Sequence, residues 1–134
     1  MSDHPRPQIK GGAICYLSID GALKAVDFYK AAFAAEEAMV MPADETGRSM
    51  HCHLYINGSS VMLSDFYPEH GHPAAPHSGF NVMLRIEDVD AWFDRAVAAG
   101  ATSLMKPDNM FWGDRYGQVK DPFGVIWAMN GPLK

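Results

Sequence analysis

The chain has 134 residues, 48% of them hydrophobic and 20% charged, with 11 Lys and Arg against 16 Asp and Glu for a formal charge of −5. That length suits one folded unit with a real core, and the composition excludes a disordered chain. The acidic balance argues against nucleic acid or an anionic membrane as a partner, and the longest run without Lys, Arg, Asp or Glu, between Arg48 and Asp65, is too short to span a bilayer.

The opening stretch, MSDHPRPQIKGG, carries two prolines and mixed charge but no apolar run, so no signal peptide is expected there and the cytoplasm is the expected location. Residues 13–19 form an apolar strand, closed by an acidic break. Asp20 is a candidate N-cap for a helix whose apolar stripe is Ala22, Ala25, Val26, Tyr29 and Phe33. Strand-like runs follow at 36–42, 49–57 and 60–66, the last two joined by the tight-turn pair Asn57-Gly58. Residues 67–78, YPEHGHPAAPHS, have a linker composition, and His70, His72 and His77 are expected in a solvated loop rather than on a metal. A second strand near 80–86 leads to Asp88, another candidate N-cap. The helix behind it has the stripe Val89, Trp92, Phe93, Ala96 and Val97 and a stop at Gly100. Strands at 102–106, 111–120 and 124–130 complete the chain, the last pair joined by Asp121-Pro122-Phe123-Gly124. Cys15 and Cys52 show no CxxC spacing and are expected as small core residues in a reduced compartment.

The second half repeats the first. At an offset of 67, Ile19 matches Ile86, Asp20 matches Glu87, Ala22 matches Val89 and Val26 matches Phe93. The fold class expected is α+β: paired βαβββ modules forming a curled mixed sheet, a half-barrel, with the helices outside. All 134 residues are expected to form a single domain, with module one at about 12–66, the linker at 67–78 and module two at about 79–131.

A sheet covered by one helix buries one face only, so two such sheets side by side can enclose a cavity. On strand 50–57, Cys52, Leu54 and Ile56 alternate with His51, His53 and Tyr55. The apolar set is expected on the helix and the second set in the cavity. On strand 111–120, Trp112, Asp114, Tyr116 and Gln118 take the cavity face. Gly113, Arg115, Gly117 and Val119 take the other, with the two glycines allowing close approach under the helix. The competing expectation for these polar and aromatic groups is an ordinary wet sheet face.

The segments MHCHLYINGSSVMLSD, IEDVDAWFDRAVAAGAT and MFWGDRYGQVKDPFGVIWAM, in that order, resemble the vicinal oxygen chelate superfamily and most closely its PhnB-like branch. This superfamily contains glyoxalase I, bleomycin- and fosfomycin-resistance proteins and extradiol dioxygenases. The resemblance covers about residues 12–131. It implies a homodimer in which both modules help to build each cavity, with Arg115 a candidate to bridge the subunits or to pair with Asp114. Metal-dependent members hold a divalent ion with His or Glu at four inward strand positions. Carried over by position, these fall at Ile14, Leu63, Asn81 and Ala128, and a one-residue shift gives Cys15, Ser64, Phe80 or Trp127. None is a His or an acidic residue, so the usual metal site is expected to be missing and no cofactor is expected. His51 and His53 could share an ion only with a third ligand such as Asp114 or Asp65.

Two functions follow, beside a third reading as a purely structural dimer module whose inward aromatics pack on one another and collapse the cavity. One is a metal-free protein that binds a small organic ligand, with Trp112, Tyr116 and Tyr55 stacking and His51, His53, Asp114 and Gln118 giving polar orientation. The other is an enzyme: a lyase, isomerase or dioxygenase using a non-standard metal site, or His51 or His53 as an acid–base group. No GxSxG, Walker loop or GxGxxG supports other chemistry.

Overall fold

A computed structural model describes residues 6–134; the first five residues of the opening stretch, where no signal peptide is expected, lie outside the described residues. The elements are β1 (Cys15–Ile19), α1 (Ala22–Phe33), β2 (Glu36–Val40), β3 (Cys52–Ile56), β4 (Ser59–Asp65), a short 3-10 turn (Pro68–His70), β5 (Val82–Arg85), α2 (Val89–Ala99), β6 (Thr102–Asn109), β7 (Arg115–Lys120) and β8 (Ile126–Gly131). Each half is a βαβββ unit, so the repeat in the sequence is a repeat in the fold.

The two sheets have the same order, β1-β4-β3-β2 and β5-β8-β7-β6. In each, the first strand runs parallel to the last and the other pairs are antiparallel. They remain two four-stranded mixed sheets and do not close into a barrel. The β3–β4 hairpin turns through Asn57 and Gly58, at φ of 51° and 81°, the left-handed pair that a two-residue turn requires. No described helix is long and apolar enough to cross a membrane.

The stripe of α1 is buried as the spacing predicts, from Ala22 through Phe33. It packs on more than its own sheet. The Phe33 ring lies 4.6 Å from Trp127 of β8 and 6.5 Å from Trp92 of α2, and Tyr29 lies 5.2 Å from Trp127. A single apolar core therefore runs through both modules. The stripe of α2 is narrower than expected: Val89, Phe93 and Ala96 are buried, but Val97 is exposed.

Helix capping divides the two modules. Asp88 caps α2 as read, its carboxylate accepting from the Ala91 N–H at 3.0 Å. Asp20 makes no such bond. The residue at the start of α1 is Gly21, at φ 98°, and the carboxylate that serves this end is Asp65 at the close of β4. Asp65 accepts from the N–H groups of Gly21 (2.8 Å), Ala22 (3.2 Å) and Ser49 (2.8 Å). The cap is tertiary, so it left no local signature beside the helix.

The turn after β7 holds the modules together. One oxygen of buried Asp121 accepts from the N–H groups of Phe123 (2.9 Å) and Val125 (3.0 Å), which shapes the turn. The other accepts from the Tyr29 hydroxyl (2.6 Å) and Trp127 Nε1 (2.9 Å). Burial, reinforced by the Asp121 charge, pushes the Tyr29 phenol well above its ordinary value, so it stays protonated as a donor. A hydrogen bond to a charged group contributes about 1.5–3 kcal/mol, and Tyr29→Phe should cost about that in urea unfolding. Asp121→Ala, which strands several buried donors, should cost more than Tyr29→Phe, and Asp121→Asn, which keeps an acceptor, less than Asp121→Ala.

Candidate functional site

The faces turned away from the helices carry the side chains that the alternation assigned to them. In sheet one, Cys52, Leu54 and Ile56 are fully buried in the core, and His51, His53 and Tyr55 lie on the opposite face. The register extends that face across the sheet: Tyr16 pairs with Met62, Met62 with His53, and His53 with Met39. Tyr16 was not singled out from the sequence, although the same alternation in Cys15–Ile19, with Leu17 and Ile19 buried, points it outward.

The three sheet-one candidates differ in access. His51 is half-buried and stacks on Tyr16 at 5.8 Å, with its Nδ1 3.1 Å from the Tyr16 hydroxyl. His53 is 2% exposed, and its Nε2 lies 2.7 Å from Ser60 Oγ. Burial, with His51 adding a smaller effect, lowers its pKa and favours the neutral ring. The Tyr55 hydroxyl donates to the Gln8 carbonyl at 2.6 Å, and the Lys10 ammonium sits 4.2 Å over the Tyr55 ring. Lys10 and Ser60 exchange bonds as well, Lys10 N–H to Ser60 Oγ at 2.8 Å and Ser60 N–H to the Lys10 carbonyl at 2.9 Å. Residues 8–10 are thus strapped across this part of the face.

Open space lies beside Tyr16. A cleft of about 330 Å³ is lined by Tyr16, Ser18, Met50, Ser64, Tyr67 and the two linker histidines His70 and His72. The linker is largely exposed, as its composition predicts, but its first residues, 67–72, fold back into one wall of this cleft. Tyr67 bridges to His72 around the 3-10 turn, and Asp44 accepts from the Tyr67 hydroxyl at 2.8 Å. Arg48 lies 4.2 Å over the Tyr67 ring, donates to the Phe66 carbonyl at 3.1 Å and forks onto Glu69 at 3.0 and 2.6 Å. Hydrogen bonds from Thr46 and Tyr67 hold the Asp44 carboxyl well below the usual carboxylate range, and burial followed by Asp44 pushes the Tyr67 phenol up to about 12. Farther along, His77 packs between Phe66 and Phe80, at 6.5 and 6.2 Å.

The module-two candidates form a second group. Tyr116 and Gln118 pair with Asn130 and Ala128 on the face opposite the helix, and Gln118 Nε2 donates to the Tyr116 hydroxyl at 2.9 Å. Trp112 is not on the strand. The segment read as strand 111–120 begins with a turn, closed by bonds from Met110 N–H to Asp114 O (2.8 Å) and Gly113 N–H to Met110 O (3.1 Å), with Gly113 at φ 100°. From that tip Trp112, 50% exposed, meets the Tyr116 ring edge-on at 5.7 Å, and Phe111 is 97% exposed. Gly113 has open space around it. Gly117 does allow close approach, but to β6 rather than to a helix: a Cβ there would lie 3.2 Å from the Met105 carbonyl and 3.3 Å from Pro107. Arg115 does not pair with Asp114. It forks onto Asp90 of α2, with both bonds at 2.9 Å. Asp114 lines a separate cleft of about 500 Å³ with Asn57, Arg85, Glu87, Trp92 and Asn130.

Among the described residues, five clefts of about 310 to 500 Å³ each draw on no more than one of the two groups. Nor does a third ligand reach the histidines, because Asp65 is committed to three N–H groups and Asp114 lines the other cleft. Among the described residues no group of three or more His, Cys, Asp and Glu side chains is arranged to hold a metal ion. Of the four carried-over positions, Leu63 is buried in the core on the helix side and Ala128 is fully buried, while Ile14 is half-buried and Asn81 exposed.

The Arg48 guanidinium holds Glu69 at about 2, below the ordinary carboxylate range. The acid is depressed, so this pairing is complete above the ordinary Glu range and is lost as pH falls through about 2. In NMR titration the Glu69 carboxyl should move with a midpoint near that value and return toward about 4.3 in Arg48→Ala. In the same variant, amide exchange at residues 67–72 should accelerate at neutral pH while the core strands stay protected.

Similarity to known proteins agrees with this architecture. Residues 15–129 match the Glyoxalase/Bleomycin resistance protein/Dioxygenase superfamily. Uncharacterized protein Mb0911c of Mycobacterium bovis is 41% identical over 125 residues, covering 89% of this chain and 82% of that one. Protein PA1353 of Pseudomonas aeruginosa has the same fold at a TM-score of 0.75 and 24% identity, over 91% of this chain and 98% of its own. The PhnB protein of Bacillus cereus superposes with a TM-score of 0.69 at 23% identity, over 92% of this chain and all (100%) of its own. The paired βαβββ modules and the match across nearly the whole chain place this protein in the glyoxalase/bleomycin resistance protein/dioxygenase superfamily.

Proposed function

We propose that this protein, a PhnB-like member of its superfamily, binds a small organic ligand in the cytoplasm without the family's divalent ion. On this reading the chain, residues 1–134, acts as one domain whose site is completed in a homodimer. The observation that carries the reading is the cleft at Tyr16. There a half-exposed aromatic ring, pre-stacked on His51 and flanked by Met50, faces a wall held rigid by the Arg48–Glu69 fork. A flat apolar surface with a few fixed polar groups suits a planar or aromatic ligand, neutral or cationic given the acidic chain.

The dimer is supported by what one chain leaves unfinished. Sheet one exposes Tyr16 and Met50, β5 exposes Met83, and the β6–β7 tip exposes Phe111 and Trp112. A second copy can bring the Trp112–Tyr116–Gln118 group of one subunit to the Tyr16–His51 cleft of the other. The two free cysteines, Cys15 half-buried and Cys52 buried, support a reduced compartment. The acid–base alternative draws on one feature, the Tyr16 hydroxyl beside His51 Nδ1. Turnover abolished by His51→Gln with ligand affinity retained would favour it.

Tryptophan fluorescence against a panel of planar aromatic compounds tests the reading. Trp112→Ala should weaken binding five- to tenfold, about 1 kcal/mol for one aromatic partner, and shift stability by less than about 0.5 kcal/mol. A large fall in Tm with unchanged binding would instead make Trp112 a packing residue. Analytical ultracentrifugation should give a dimer. Mixing a His51→Ala chain with a Trp112→Ala chain should then restore about a quarter of the sites, the share in which both contributions are intact under closed two-fold pairing.

A further inference from the structure

Beyond the organic ligand, the middle of the same sheet face has a chemistry of its own. The cross-strand row on β2, β3 and β4 reads Met39, His53, Met62, with each neighbour a register partner. Directly paired residues on one sheet face have Cβ atoms about 4.5–5.5 Å apart. Methionine adds three rotatable bonds, enough to bring two thioether sulfurs and one imidazole nitrogen onto a common point. The next row keeps the methionine and the histidine and ends on a serine. Met41 pairs through its N–H with the His51 carbonyl at 2.9 Å, and Ser64 lies opposite on β4, one residue past the Leu63–Cys52 pair. Two histidines and three methionines thus share one patch, where hard carboxylates are missing: Asp65 is used by the α1 end and the Ser49 N–H, and Glu36 and Glu37 lie at the far, exposed end of β2.

We propose that Met39, His53 and Met62 form a binding site for a soft monovalent cation of the Cu(I) type. Thioether sulfur and imidazole are the donors such an ion selects, and a set without carboxylates disfavours Mg(II), Ca(II) and Mn(II). His53 is prepared for the role. It is buried and favoured neutral, so one ring nitrogen has a lone pair to give. Its Nε2 sits 2.7 Å from Ser60 Oγ, which Lys10 N–H also engages at 2.8 Å. Ligation through Nδ1 selects the tautomer in which Nε2–H donates to Ser60 Oγ, the outer-shell arrangement that fixes a metal-binding histidine. Met39 and Met62 are each partly exposed, which gives the ion a way in from solvent. Binding involves no change of oxidation state.

The test uses the full chain with Cys15→Ser, labelled with methyl-¹³C methionine and titrated with Ag(I) as a redox-inert probe. The methyl signals of Met39 and Met62, assigned through Met39→Leu and Met62→Leu, should move at one equivalent together with the His53 ring. Those volume-conserving variants should keep the fold and, with His53→Gln, should lower Cu(I) affinity at least tenfold in anaerobic competition with a bathocuproine chelator. Ser60→Ala, which removes the outer-shell partner, should lower it roughly 10- to 100-fold. The proposal is overturned if both methyl signals stay fixed in the parent chain at one equivalent, if Met62→Leu binds as tightly as the parent, or if Zn(II) competes equally with Ag(I). None of these outcomes alters the fluorescence titration with aromatic compounds, so the two readings stand or fall separately.

Discussion

A single buried carboxylate organises this molecule. Asp121 accepts from Phe123, Val125, Tyr29 and Trp127, and those donors belong to its own turn, to α1 of module one and to β8 of module two. A buried charge is tolerable when its lone pairs are met by donors, and here all four bonds are made inside the fold. The geometry is also selective. Tyr29 can reach Asp121 only if α1 lies over β8, and the same placement packs Phe33 against Trp127 and stacks it on Trp92. Asp65 does related work within module one, where it joins the end of β4 to the start of α1 and to the approach to β3.

With the core gathered around the helices, the opposite sheet faces are finished by other means. On sheet one the Gln8–Lys10 strap covers Tyr55 and His53, and the linker wall covers part of Tyr16. Between them lies the methionine–histidine patch. On sheet two the finish is a hairpin tip that sends Phe111 and Trp112 outward. Exposed aromatics and methionines at those places cost solvation in a lone chain and suit contact with a ligand or a second copy.

Local periodicity made much of this legible. The offset of 67 gave both modules, and the alternation in Cys52–Ile56 and Arg115–Lys120 gave the correct faces. What escaped the sequence was set by partners distant along the chain. Asp20 resembled a cap, but Asp65, from 44 residues beyond Gly21, supplies it. Arg115 was matched with its neighbour Asp114, but Asp90, 25 residues away, faces it. The alternation in WGDRYGQ places Trp112 on a strand, but the positive φ of Gly113 and the backbone bonds of Met110 turn that stretch before the strand begins. The linker has the composition of a loose segment, and residues 73–78 stay irregular and largely exposed, while the paired backbone bonds of Tyr67 and His72, with the Arg48–Glu69 fork beside them, shape its start.

The polar groups on the open faces bear on the choice between binding and catalysis. His51 is engaged with Tyr16, His53 with Ser60, Tyr55 with Gln8 and Gln118 with Tyr116. Stabilising a developing charge calls for donors preorganised toward the position where that charge forms. Here these four side chains are engaged with protein partners, and the cleft beside Tyr16 offers ring faces and the Met50 thioether together with Ser18, Ser64, His70 and His72. Such a surface rewards a ligand by burial and stacking, with polar atoms spent on fixing the rings in place. A metal held among the methionines would add a soft Lewis acid to that surface without supplying a base. On the proposed reading the site retains a bound molecule, and the acid–base alternative rests on the Tyr16–His51 pair.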